Sequence, residues 1–475
     1  MKRSINLFQA IMYGVGLILG AGIYVIIGDV AGIAGNAIWI SFIVAASIAI
    51  LTGLSYAELS SIFPKSAAEY IFTKNAFGSI GKTKGDKAKL ISFIVGCLII
   101  FVALISAATV AVGFSGYFAA LFPHISPVII ALSLIGILSL VNFYGISESI
   151  WTNVIFTLIE LAGLITIILA AFMFGSMANT NYYEIPSISN SSSNTFPATE
   201  EDQAAEYFLS FLQTGAIASI IGAAGLIFFA YYGFENMANI AEEIKNPSKV
   251  IPKALLASIV ITTVVYILVA LSTVSLVSWK ELSSSDAPLA LAAEKAFGSQ
   301  GIIMLSLIAL FATSNTVLMM LISGSRIIYG ISRGGGSLFP NVLQTIHHSR
   351  RTPWVAVLVA MGITMIIVML SSGNIEGIAS VSVFGIFIVY AIVNLSLIVL
   401  RYTKPDLKRS FQSPFKLGRF PILAGLGFVI SVAMLFRFDI TTVLAGVSVM
   451  VISMVLYIIL KWQQIRSQTS TSPTS

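Results

Sequence analysis

Charge is what this chain has least of. Asp, Glu, Lys and Arg make up 10% of its 475 residues, against about 25% in an ordinary soluble protein. A soluble globular fold is excluded on that ground. Cysteine is nearly absent too. Cys97 is the only one, so no intrachain disulfide can form, and its place in an apolar run makes it a small core hydrophobe. The three histidines, His124, His347 and His348, fall in predicted loops and cannot form a metal-catalytic cluster. No His, Asp or Cys constellation marks an enzyme. The phosphate-cradling sequence G-x-x-x-x-G-K-[ST] is missing, which argues against ATP as an energy source. No short-period repeat marks a solenoid.

What the chain has in excess is apolar sequence. It is 57% hydrophobic, with a mean hydropathy of +0.95. The apolar residues form blocks of the length, roughly 20 residues, that crosses a bilayer. Twelve blocks are predicted as spans: 8–34, 37–61, 90–121, 127–145, 151–175, 207–234, 254–277, 300–323, 353–371, 376–400, 420–437 and 440–461. The first is read as a retained helix, since it is too long for a signal peptide and lacks a cleavage site.

The net charge of +6 suggests nucleic acid until its distribution is considered. With alternating loops, only Lys280, Lys295 and Arg437 of the 26 Lys and Arg fall on one side. That is the positive-inside bias, and it predicts cytoplasmic termini in a multi-pass protein of the cell membrane. Residues 177–206 then form an extracellular loop, which carries an N-x-S sequon at Asn190. The Ser/Thr-rich segment 464–475 reads as a disordered cytoplasmic tail.

The most informative stretch is Gly225 to Pro252. It begins as a span, but places Tyr231, Tyr232, Gly233 and Glu235 near the bilayer centre. Irregular backbone survives at that depth only inside protein or beside a watery cavity. Span one has a matching feature in Gly14, Gly16, Gly20 and Gly22. Each opens a set of five spans, and an odd number per set inverts the second relative to the first. Interrupted helices at matching positions of two inverted halves point to a transporter binding site. Ordinary small-residue helix packing is the alternative for span one.

Four segments carry a family resemblance: GLILGAGIYVIIG; SYAELSSIFPKSAAEYIFTKNAFG; FFAYYGFENMANIAEEIKNPSKVIPKAL; and SRIIYGISRGGGSLFP with RRTPWVAV. With them the chain resembles the amino acid–polyamine–organocation superfamily of secondary transporters. The resemblance implies an all-α polytopic protein of LeuT-type fold. That means a 5+5 inverted repeat (1–176 and 207–401), two further helices in 402–463, and breaks in helices 1 and 6.

The expected substrate site follows. Gly20, Ala21 and Gly22 let a ligand approach closely. The half-helix from Ile23 offers free N–H groups to a carboxylate, and the resemblance assigns the substrate carboxylate there. Phe229, Ala230, Tyr231, Tyr232 and Gly233 form the other break. The resemblance implies that the Phe229 and Tyr232 carbonyls take the ammonium group and that the Phe229 ring is a gate.

Ion coupling rests on other residues. Ser149, Asn153, Thr157 and Glu160 share one face of span five. A mid-span carboxyl is costly when ionised and is a natural proton carrier. A structural, hydrogen-bonded Glu160 is the bland alternative. Many family members have a lysine at about this position, from which this chain departs. Thr313 and Ser314 match a hydroxyl pair that LeuT-type transporters place beside a sodium ion; bonding to the preceding helical turn is the alternative. Glu58, Glu69, Glu235, Glu242 and Glu243, with Lys65, Lys245, Lys249 and Arg326, suggest interfacial ion pairs or a cytoplasmic gate, with Glu235 the foremost gate candidate.

The reading is a secondary active permease for amino acids, proton-coupled and directed to small neutral ones, working by alternating access in a lipid bilayer. An amino acid or polyamine exchanger and a sodium symporter are alternatives, as is a receptor on the same scaffold. Neither cofactor, metal nor nucleic acid is expected, and the sequence carries no signal for oligomeric state.

Overall fold

The computed structural model describes residues 3–78, 86–122, 124–186, 215–285, 287–333, 340–371 and 375–470. The sequon at Asn190 lies outside them. The described chain is all-α apart from one short hairpin, Lys416–Leu417 with Phe420–Pro421. The helices are α1 (Leu7–Ala34), α2 (Ile38–Ile62), α3 (Ala68–Phe77), α4 (Asp86–Leu121), α5 (Pro127–Tyr144) and α6 (Ile146–Phe174). Then come α7 (Ala216–Tyr231), the single turn α8 (Asn236–Asn239), α9 (Pro247–Leu276), α10 (Trp279–Ser283) and α11 (Pro288–Phe297). The last are α12 (Ser299–Ser332), α13 (Trp354–Ser371), α14 (Ile375–Thr403), α15 (Ile422–Leu435) and α16 (Ile440–Ser470).

Among the described residues, nine helical segments are long and apolar enough to cross a bilayer. Three shorter apolar helices, Ala216–Phe228, Trp354–Leu370 and Ile422–Leu435, accompany them. The chain is therefore an all-α polytopic membrane protein.

Local rules set the helix ends. Asn6 starts α1 with a capping box, its side chain accepting from the Gln9 amide while Gln9 reaches back to Asn6. Prolines occupy the first turns of α5, α9 and α11, where a missing N–H costs nothing. That explains one difference from expectation. α9 begins at Pro247, not at 254, and takes Pro252 into its opening turns. α12 also continues nine residues past 323, to Ser332. The final helix runs to Ser470, so 464–470 is helical rather than part of a disordered tail; Lys461, Gln463, Gln464 and Arg466 are good helix formers that extend it. The helices α3, α10 and α11 are additional to the expected blocks, being too short or too polar to register as spans.

Packing follows an inside-out logic. On α6, Trp151, Ile155, Leu158, Ile165 and Leu169 are exposed, while Ser149, Asn153, Thr157 and Glu160 are buried. Lipid tolerates the apolar face, and the polar face must find protein. α1 lies at the centre, packed against α6, α7, α9 and α12.

Candidate functional site

Two irregular backbone segments meet at this centre. In α1, Gly20 (φ −3°, ψ −148°) leaves the helical region. α7 ends at Tyr231, and a turn with Gly233 at φ +126° precedes α8. That φ favours glycine, and here a Cβ would also stand 3.2 Å from the Leu17 carbonyl oxygen. The segments touch. A Cβ at Gly22 would lie 2.6 Å from Ala230 Cα, and one at Gly20 would collide with Thr316 Oγ1. The side chains of Ala21 and Phe229, and with them the expected Phe229 gate, lie outside the described residues.

Tyr266 of α9 joins the two segments. Its hydroxyl donates towards the carbonyls of Ile18, Leu19 (3.3 Å) and Ala230 (3.1 Å). A tyrosine midway along an apolar helix gives no sequence signal of such a role. Its nearest warning was the need of any interrupted helix for a donor to its freed carbonyls.

A small cavity opens here, lined by Leu17, Ile18, Gly22, Ser106, Val110, Tyr232, Thr316 and Met320. It has a volume of about 20 Å³, room for about one water. Its polar groups are hydroxyls, and no charged side chain is among the described residues that line it. Of the expected substrate residues, Gly22 and Tyr232 line this cavity; Gly20, Ala230 and Gly233 shape the contact between the segments. Tyr231 is buried edge-on to Tyr266, with ring centroids 5.3 Å apart.

Glu235 is held by three donors. It accepts from the Gly233 amide (3.1 Å), the Tyr390 hydroxyl of α14 (2.7 Å) and Asn236 Nδ2 (2.9 Å). Asn236 in turn accepts from Ser323 of α12. No ion pair to Glu235 occurs among the described residues.

Glu160 is buried, and neither carboxyl oxygen has a hydrogen-bond partner among the described residues. Its backbone carbonyl accepts from Tyr24, on α1 just beyond Gly22 (3.4 Å). One and two turns away, Thr157 and Asn153 bond to Asn315 of α12 (3.1 and 2.9 Å). This cluster presses on Gly16, where a Cβ would collide with Thr157 Oγ1.

Thr313 and Ser314 donate to the preceding turn of α12, Thr313 to Ala309 O and Ser314 to Leu310 O (2.7 Å each). The hydroxyl that meets Gly20 belongs to Thr316.

The end of the bundle holding the N-terminal segment is closed. Ser4 and Ile5 donate to the Glu243 carbonyl, and Lys245 donates to that of Ile5. Arg326 is fully buried, 3.5 Å from Glu243 and 2.6 Å from Asn142 Oδ1. Burial pushes the Glu243 carboxyl up against the pull of Arg326. Glu58 pairs with Arg401 (2.5 Å) and Arg409 (3.2 Å), and Glu242 with Arg333 (2.9 Å). Of the partners expected for these carboxylates, Arg326 is the one the structure pairs; Arg333, Arg401 and Arg409 were not anticipated. Asn239 accepts from the Ala68 amide and donates to Glu69, which burial raises to about 8. At the opposite end a cavity of about 660 Å³ descends to Val110 and Phe387, with Asp29 and Arg437 in its walls.

Comparison with known proteins agrees with the architecture. Residues 5–460 match the amino acid permease family, and the chain belongs to it. It is 26% identical to the branched-chain amino acid permease BcaP of Bacillus subtilis, covering 96% of this chain and 92% of that one. The methylthioribose transporter of the same organism is 27% identical, covering 87% and 85%. The chloroplastic cationic amino acid transporter 9 of Arabidopsis thaliana is 31% identical over 73% of this chain and 57% of its own. The protein is thus a secondary transporter, not an enzyme, for amino acids or related small solutes.

Proposed function

We propose that this permease takes up small neutral amino acids by alternating access, driven by protons. The observation that carries the reading is the meeting of the two irregular segments around a small cavity, about one water in volume, whose described lining is aliphatic groups and hydroxyls with no charged side chain. A cationic side chain or polyamine entering it would be desolvated without a partner. Backbone groups of Gly20, Ala21, Gly22 and Ile23 would take the carboxylate, and carbonyls of Phe229 to Tyr232 the ammonium. The branched-chain specificity named for the Bacillus relative agrees with an apolar pocket.

We further infer twelve spans. The three shorter apolar helices supply the number that the nine longer segments leave open. The first ten form two inverted sets of five, with both termini cytoplasmic where the lysines gather. On this orientation the cytoplasmic end is sealed and the outer cavity is open. Glu160 carries the coupling proton, because it is the buried carboxyl on the polar face of α6 without a hydrogen-bond partner among the described residues.

Reconstituted protein tests this. Labelled leucine and alanine should accumulate in proteoliposomes under an inward proton gradient, unchanged when choline replaces sodium, and arginine and putrescine should compete poorly. Failure to move any amino acid, or a preference for the cations, would overturn the reading.

A further inference from the structure

Two hydroxyls in the cavity between the irregular segments are left without partners. Ser106 of α4 and Tyr232 both line it and are buried, at 1% and 4% exposure. Neither hydroxyl makes a hydrogen bond among the described residues. The two side chains are close enough to affect one another, but not with hydrogen-bond geometry. Asn236, also near Tyr232, is committed to Gly233, Glu235 and Ser323. Ala21 and Phe229, whose side chains lie outside the described residues, carry no side-chain hydrogen-bonding atom and cannot be the partners. A serine in a helix can turn its hydroxyl back to the preceding turn. Ser92 and Ser115 of α4 do so, donating to Lys89 O (3.1 Å) and Val112 O (2.6 Å). Ser106 does not. Thr316, the third hydroxyl of the lining, donates to Ala312 O (3.2 Å). A buried hydroxyl is costly to leave unpaired, so Ser106 and Tyr232 mark where a polar group of the ligand belongs.

We propose that this site prefers β-hydroxy amino acids, serine and threonine, to apolar ones of the same size, with Ser106 and Tyr232 taking the substrate hydroxyl. The inference rests on the zwitterion site proposed above and adds the side chain it selects. In serine and threonine the hydroxyl oxygen is two bonds from the α-carbon. A zwitterion held by the backbone about Gly22 and Tyr232 therefore brings that oxygen into the cavity those residues line. One hydroxyl can donate to one partner while accepting from the other. A methyl in its place fills the same space and strands both protein hydroxyls, the situation in which a site discriminates strongly. The cavity, about 20 Å³, must widen for any whole amino acid, and small side chains demand the least. Val110 lines both this cavity and the outer one, so Ser106 lies one helical turn from the wall they share.

Threonine and valine are the decisive pair, since they differ by a hydroxyl for a methyl. Initial uptake of each, and of serine and alanine, is measured in proteoliposomes holding the full-length protein under an inward proton gradient. In kcat/KM, threonine should exceed valine, and serine alanine, by about 5- to 150-fold, the range expected for stranding a buried hydroxyl. Ser106→Ala and Tyr232→Phe should each lower the threonine-to-valine ratio by about five-fold or more. General damage to the fold lowers both rates and leaves their ratio, so the ratio reads selectivity alone. Ser115→Ala, whose hydroxyl is bonded within the helix, should keep the wild-type ratio. If one variant fails to fold, the wild-type ratio and the other variant still decide. Uptake of valine and alanine with ratios within about two-fold of unity refutes the hydroxyl site and leaves the neutral amino acid reading intact. A high ratio that the variants preserve refutes the assignment to Ser106 and Tyr232. Failure to move any of the four amino acids overturns that reading, and this inference with it.

Discussion

Tyr266→Phe isolates one hydroxyl at the centre of the transporter. In an unbroken helix the carbonyls of Ile18, Leu19 and Ala230 would be served by the amides of Gly22, Ile23 and Phe234. Gly20 departs from helical geometry between the first two and their donors, and α7 ends before Phe234. The Tyr266 hydroxyl stands in for them from 3.1 Å at Ala230 and 3.3 Å at Leu19, with Ile18 closer still. Phenylalanine keeps the ring contacts with Tyr231 and Phe42, at 5.3 and 5.2 Å, so packing is conserved and only the donor is lost. Three acceptors share one proton, so the loss counts once. A buried carbonyl left without its donor costs about 1–3 kcal/mol. If the substrate needs both segments in register, kcat/KM for uptake falls by about 5- to 150-fold. Initial rates in proteoliposomes would measure this, and unfolding in detergent would show the accompanying loss of stability. A Tyr266→Phe protein within two-fold of wild type in kcat/KM, with an unchanged unfolding temperature, would refute the bridging role.

Other perturbations test separate parts of the site. Gly22→Ala presses a methyl against the Ala230 backbone at 2.6 Å and should cost about 1–3 kcal/mol with severe loss of uptake; Gly116→Ala, with nothing within 4 Å, should be neutral or slightly stabilising, and equal effects of the two would contradict the close approach. Glu160→Gln removes the titrating group but breaks no hydrogen bond seen among the described residues. Uptake should persist as facilitated exchange while its response to a pH gradient disappears, and a full pH response would remove Glu160 from coupling. Arg326→Met leaves Glu243 buried without its counter-charge and should destabilise the protein by about 3–5 kcal/mol. Adding Glu243→Leu should recover much of that in unfolding measurements, whereas simple additivity would deny the pair.

Much of this architecture was legible in the chain because the bilayer is a simple solvent. Apolar length gives the helices, and Gly20 and Gly233, in the stretches the sequence singles out, take non-helical backbone angles. What could not be read depends on partners distant in sequence. Tyr266 is one tyrosine in an apolar helix, and only the fold brings it to Ile18 and Ala230. Arg401 and Arg409 reach Glu58 across more than 340 residues. The hydroxyls of Thr313 and Ser314 donate to the preceding turn, a local bond that sequence alone does not distinguish from other uses. Pro252 suggested a boundary by composition, although a proline early in a helix is tolerated.

Glu160 and Glu235 look alike in sequence, each a lone carboxyl in an apolar span, yet hydrogen-bond accounting separates them. Glu235 accepts from a backbone amide, a phenol and an amide side chain, and through these joins the turn after α7 to α14. Asn236 extends the same network to α12. A gate that had to swing on Glu235 would break all of these at once. The network instead argues that Glu235 holds the irregular segment in shape while neighbouring elements move. The Glu160 carboxyl has no such attachments among the described residues. No hydrogen bond among the described residues has to break when its proton is exchanged, which suits a proton carrier. Because its backbone is tied to Tyr24 just past Gly22, a change in charge at Glu160 bears directly on the segment that would hold the substrate carboxylate.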